Sequence, residues 1–154
     1  MEKQPELIFP HPDIPIEECD GGLTVCHPQR GIRLKITPEE RVRRHVAGWL
    51  RDLRIEPQRI VEEYPVRLNG QPQRADVVVV DRQGRPRLLV ECKAPGVKLS
   101  QKSLDQVVRY NSVLGAEFIL LTNGLECYLY RHLKAGAYRP ATPPELTRDI
   151  NREI

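Results

Sequence analysis

Residues 75–93 constrain the fold of this chain more than any other stretch. They read Ala-Asp-Val-Val-Val-Val-Asp-Arg-Gln-Gly-Arg-Pro-Arg-Leu-Leu-Val-Glu-Cys-Lys. Two runs of apolar, β-forming residues flank a turn at Gln83-Gly84, which predicts paired strands over Ala75–Asp81 and Leu88–Lys93. Unbroken apolar runs imply burial on both faces of a sheet. Such strands tolerate few charges, yet Asp76 lies near the start of the first and Glu91 and Lys93 at the end of the second. Side chains alternate along a strand, so Glu91 and Lys93 share one face and Cys92 takes the other, where it can only pack. Hairpin pairing brings the start of one strand beside the end of the next, and so Asp76 alongside Glu91.

Two converging carboxylates form an oxygen site for a hard divalent cation, Mg²⁺ in the first instance, with Mn²⁺ as a substitute. A cation there would offset the charge that protects a phosphodiester from attack and would acidify a bound water. Lys93 could then orient that water or stabilise charge building on phosphorus. The same residues have plainer uses: Glu-x-Lys on a strand also forms exposed salt bridges, and aspartate also serves turns and caps.

The flanking sequence supplies the other elements. Thr37-Pro38-Glu39-Glu40 is a helix start with proline at the first helical position. Val42, Val46, Trp49, Leu50 and Leu53 follow at helical spacing. Val61–Leu68 reads as a strand ending in an Asn69-Gly70 hairpin turn. A helix is expected over Gln101–Leu114, stopped by Gly115. Strands are expected at Phe118–Thr122 and Leu125–Arg131. The order α-β-β-β-α-β-β implies an α/β (α+β) fold, a mixed β-sheet flanked by helices. Residues 1–36, rich in proline and glycine, read as an arm with little regular structure beyond a short strand at Gly31–Ile36. Residues 37–134 form the domain, and 135–154 a polar tail in which Thr142-Pro143-Pro144-Glu145 could start a short helix. On the Gln101–Leu114 helix, Gln106 and Tyr110 stand at i and i+4 on one face, with Lys102 and Arg109 nearby. They can reach the strand ends to hold a phosphate, or form a solvated flank.

Composition sets the remaining bounds. At 154 residues, 40% hydrophobic and 29% charged, the chain suits a single globular domain. No stretch approaches the roughly 18 apolar residues of a membrane span, and the first residues lack a signal-peptide pattern, so a cytoplasmic location is expected. The formal charge of +3 is mild, but 18 arginines stand against 6 lysines, a bias suited to phosphate contacts and equally to surface salt bridges. Cys19, Cys26, Cys92 and Cys127 match no zinc spacing; Cys19, Cys26 and His27 make at most half a site. With only eight aromatic residues, no base-stacking platform stands out and DNA is not distinguished from RNA.

Arg74-Ala75-Asp76, Glu91-Cys92-Lys93-Ala94-Pro95, Gln106-x-x-x-Tyr110 and Leu121-Thr122-Asn123-Gly124, in that order, resemble the N-terminal nuclease domain of type I restriction enzyme R subunits, within the PD-(D/E)XK superfamily. The chain looks still more like the small stand-alone proteins of that family, and the resemblance covers about residues 37–131. The resemblance implies a restriction-endonuclease-like core, with Asp76, Glu91 and Lys93 catalytic. It further implies that Glu63 joins Asp76 and Glu91 at the metal, with Glu39, Glu40 and Glu62 as weaker candidates. Gln106 and Tyr110 are expected to position the substrate backbone, with Arg74, Arg109 and Lys98 as further phosphate contacts. The activity implied is hydrolysis of nucleic acid, DNA foremost; the alternative is a non-catalytic module gripping nucleic acid or a protein. The R subunits continue into helicase motors, whereas this chain contains no Gly-x-x-x-x-Gly-Lys-Ser/Thr loop. It is therefore expected to act alone, as a homodimer, or with a separate restriction or repair subunit.

Overall fold

The structure, a computed structural model, describes residues 4–19, 21–26 and 31–152. His27 lies outside them. A three-stranded antiparallel sheet comes first: β1 (Ile16–Cys19), β2 (Gly22–Cys26) and β3 (Arg33–Ile36). Then follow α1 (Pro38–Asp52), β4 (Ile60–Leu68), β5 (Gln71–Val80), β6 (Pro86–Cys92), α2 (Gln101–Leu114), β7 (Phe118–Thr122), β8 (Cys127–His132), β9 (Tyr138–Pro140) and α3 (Pro143–Asp149). Strands β4 to β9 form one six-stranded sheet in sequence order. Every neighbouring pair in it is antiparallel except β6 and β7, which run parallel because α2 crosses between them.

Local chemistry explains the boundaries. The Thr37 hydroxyl accepts the Glu40 N–H at 3.1 Å to cap α1, and Ser100 does the same for Ser103 at α2. Gly115 ends α2 in the left-handed conformation, φ 67°. The β4–β5 hairpin turns on Asn69 and Gly70, both at positive φ, as a two-residue type I′ turn requires.

Two apolar cores sandwich the sheet. On one face Val77, Val79, Leu88, Val90, Cys92, Phe118 and Leu120 pack against Val42, Val46 and Leu50 of α1. On the other, Ala75, Val78, Leu89, Ile119 and Leu121 pack against Val107 and Tyr110 of α2.

The two ends of the chain correct the sequence reading. The N-terminal segment contains three strands, and its Leu7 and Phe9 belong to the α1-side core. The Phe9 carbonyl accepts a hydrogen bond from Nδ1 of His45 at 2.6 Å, and Asp13 pairs with Arg44 at 2.9 Å. In the expected polar tail, the short helix anticipated at Thr142 forms as α3, capped by the Thr142 hydroxyl; what departs from the reading is β9 and the full burial of Leu146, with Ile150 just beyond. Arg59 and Arg87 donate to the carbonyls of Ile150, Asp149 and Arg152 at 2.8–3.1 Å, closing the C-terminal end of α3.

Gly48 is where the N-terminal segment meets α1. A Cβ there would lie 2.0 Å from the His11 carbonyl oxygen, so only glycine lets the two backbones approach this closely. Gly48→Ala is expected to cost about 3 kcal/mol, read as a lower denaturant midpoint together with faster proteolysis before residue 37. An unchanged midpoint would show that the segment does not pack on this helix.

Candidate metal centre

The β5–β6 register pairs Val77 with Val90, Val78 with Leu89 and Val79 with Leu88. Continued by one step, it sets Asp76 opposite Glu91. The two residues are linked through their backbones: the Asp76 N–H donates to Glu91 Oε1 at 3.3 Å, and the Cys92 N–H donates to Asp76 Oδ2 at 2.7 Å.

A break in β4 and β5 makes this geometry. Val61 and Tyr64 pack toward α2, as do Ala75 and Val78, although strict alternation would place each pair on opposite faces. The register is the same on either side, with Glu62 opposite Val77 and Tyr64 opposite Ala75. Between them Glu63 adopts a left-handed φ of 51°, a conformation that costs a non-glycine residue energy and recurs at functional sites. The local opening leaves the Asp76 N–H to the Glu91 carboxylate instead of a ladder partner.

Electrostatics marks the pair. Glu91 is 6% exposed, and burial, with the Asp76 charge second, pushes its pKa up to about 8. Burial also raises Asp76, against the Cys92 N–H and the positive charges of Arg43 and Lys93, which favour its ionised form. Glu39, on the first turn of α1, is raised by burial and then by Asp76, and lowered by Lys93 and Arg43. Asp76, Glu91, Lys93, Glu39 and Arg43 thus occupy one electrostatic neighbourhood. Arg43 was not anticipated; its signal was the i, i+4 spacing from Glu39, which puts both on one face of α1.

The other expected residues fall around this centre. Glu63 does not join the carboxylate pair: it is exposed and turned toward Arg74 at 3.7 Å and Arg43 at 4.0 Å. Its left-handed backbone breaks the alternation from which strand reasoning would place it. Glu40 and Glu62 are engaged by Arg43 and Arg44. Gln106 donates to the Tyr110 hydroxyl at 3.2 Å, with Tyr110 buried against the α2 side of the sheet. Lys98 and Arg109 are exposed, and no hydrogen bond or ion pair joins either to the carboxylates among the described residues. Asn123 shapes the loop that carries Lys98: its amide donates to the Val97 carbonyl at 2.9 Å, and its Oδ1 accepts from the Leu125 and Glu126 N–H groups at 2.9 Å.

Among the described residues no group of three or more His, Cys, Asp or Glu side chains is arranged to hold a metal ion. The Asp76–Glu91 pair nonetheless fits one. A buried and a half-buried acid in contact, whose ionised forms are disfavoured, are the oxygen donors that a divalent cation would relieve.

A mixed sheet that sets an acid in the middle of β5, which begins at Gln71 rather than at the expected Ala75, beside an acid at the end of β6 with a lysine just beyond defines a class of candidate metal-binding domains. The chain belongs to the family described as type I restriction enzyme R protein N terminus, whose model matches residues 38–140. Among solved structures, a DUF820 protein from Anabaena variabilis, described as a candidate nuclease, superposes loosely. Its TM-score is 0.48 at 12% identity, over 72% of this chain and 73% of that one. No curated protein matches the chain. No helix among the described residues is long and apolar enough to cross a membrane.

Proposed function

We propose that the chain is a divalent-metal-dependent nuclease acting on DNA, with Mg²⁺ or Mn²⁺ held by Asp76 and Glu91. One observation carries this reading: the two carboxyl groups meet under burial that raises both pKa values, with Lys93 close enough to act on each. Bound there, the cation supplies charge neutralisation at the phosphodiester and a more acidic water.

The chain's own residues do the rest. The Cys92 N–H fixes Asp76 Oδ2, which keeps one carboxylate oriented. The Lys93 N–H donates to the Thr122 carbonyl at 2.8 Å, so its backbone is tied to β7 while the positive charge of its ammonium acts on both acids. That ammonium orients the attacking water and stabilises negative charge on the phosphoryl oxygens. Gln106 and Tyr110 steady the strand being cut, and Arg74, Arg109 and Lys98 meet flanking phosphates. Family membership supports the nucleic-acid substrate.

The absence of a three-ligand cluster among the described residues favours one second reading, a module that grips nucleic acid without cutting it. A cleavage assay on single-stranded, duplex and nicked DNA with Mg²⁺ or Mn²⁺ separates the two. The wild type is expected to cut, and Lys93→Ala to lose about a hundredfold or more in rate while still binding Mn²⁺. A wild type that binds DNA and cuts none of these substrates establishes the module; equal rates for Lys93→Ala remove lysine from the reaction.

A further inference from the structure

The cross-sheet register places more than acids in one row. Glu91 on β6 pairs with Leu121 on β7, and Leu121 pairs with Tyr128 on β8. Two strand spacings put Tyr128 about 10 Å from Glu91. Leu121 packs toward α2 and Tyr130 packs against the same core, so Tyr128, two residues from Tyr130, shares that face. Strand β9 pairs with β8 only over Tyr130–His132, and among the described residues no strand lies beyond the Tyr128 level.

A cavity of about 190 Å³ opens here, lined by Leu99, Gln101, Leu104, Leu121, Tyr128 and Tyr130. It is smaller than the roughly 300 Å³ of a drug-sized site, the scale of one flat heterocycle. Tyr128 is 44% exposed, an uncommon outlay of aromatic surface. Exposed Lys98 and Lys102 border the segment that lines the cavity. Two acids lie near this segment and keep their charge, Asp105 accepting from the Gln101 amide at 2.8 Å and Glu126 from the Tyr128 hydroxyl at 3.2 Å, so the stacked base and not the local charge is what the shelf offers.

We propose that Tyr128 and Tyr130 form a stacking shelf for one unpaired nucleobase of the strand whose backbone reaches Asp76 and Glu91. The inference rests on the nuclease reading and adds the form of the substrate, which is single-stranded or locally unpaired. Aromatic faces stack on any base, and flanking lysines hold its phosphates. A base inside a duplex is already stacked on its neighbours and cannot enter such a slot without being extruded. The separation of about 10 Å corresponds to some three stacked nucleotides, or fewer unstacked ones.

The test is binding, measured apart from cutting. Fluorescence anisotropy of short labelled DNA oligonucleotides is followed on the full chain carrying Asp76→Asn, with and without Tyr128→Ala or Tyr128→Phe. Tyr128→Ala is expected to weaken binding of the single strand by roughly five- to a hundredfold, and Tyr128→Phe to leave it unchanged. A duplex, and a strand made of abasic sites, should bind weakly and respond to neither change. Equal affinity of Tyr128→Ala for the single strand, or the same loss on the duplex and the abasic strand, overturns the shelf. Single-strand binding through Tyr128 in a chain that never cleaves with Mg²⁺ keeps the shelf and refutes the nuclease. Cleavage that ignores Tyr128 does the reverse.

Discussion

Asp76→Asn is expected to reduce Mg²⁺-dependent cleavage by about a thousandfold or more in a protein that stays folded. The amide keeps an oxygen to accept the Cys92 N–H, now made at 2.7 Å, so the contact that orients the side chain survives. What is lost is one of two anionic ligands for the cation. Removing that charge also removes the second cause of the raised Glu91 pKa, so the glutamate should titrate closer to its ordinary range, visible in carboxyl carbon NMR shifts. Single-turnover rates at saturating enzyme give the readout, with far-UV circular dichroism as the check on folding. A folded variant that cuts within a few-fold of wild type would remove Asp76 from the mechanism.

The second large effect is on stability and depends on pH. Glu91 has an ordinary value of 4.5 and is pushed up to about 8 in the fold. A group whose folded pKa is raised favours the folded state when protonated. Its contribution is present in full below pH 4.5 and is lost as pH rises through 8. The loss is on the order of 4 kcal/mol, or roughly 10 °C in Tm for a domain of this size. The metal-free protein should therefore melt progressively lower from pH 5 to pH 9. Glu91→Gln, which removes the charge and keeps the shape, should flatten that decline and melt above wild type at pH 9. Millimolar Mg²⁺ should restore the wild type at high pH and leave Glu91→Gln unmoved. A flat wild-type profile in the absence of divalent ions would mean the pair is less buried, or less close, than described.

Much of this centre was legible before the fold was known, for definable reasons. The opposition of Asp76 and Glu91 follows from period-two alternation and a short turn, both local properties of residues 75–93. The α2 span, Gln101–Leu114, and β7, Phe118–Thr122, carry their own caps or turn glycines and agree with the sequence reading residue for residue. Strand β3, Arg33–Ile36, lies within the strand expected at Gly31–Ile36, whereas β1 and β2 were missed because they are short and are held by pairing with one another. Residues 135–154 were read as polar because Leu146 and Ile150 are isolated apolar residues in sequence; the packing that buries them involves α1-side residues far away. At the site, Arg43 and Glu39 reach the acids only through the docking of α1 on the sheet. Glu63 was assigned to the metal on likeness, and the left-handed backbone that turns it toward Arg74 has no sequence signature in a Glu-Glu-Tyr stretch.

Calorimetric titration of Mn²⁺ into the metal-free chain at pH 7.5, repeated with Asp76→Asn and Glu91→Gln, bears most directly on the paired acids as a cation site. One site per chain in the wild type, abolished or weakened at least about tenfold in both variants, is the predicted result. Undiminished Mn²⁺ binding in either variant, or none in the wild type, would contradict it.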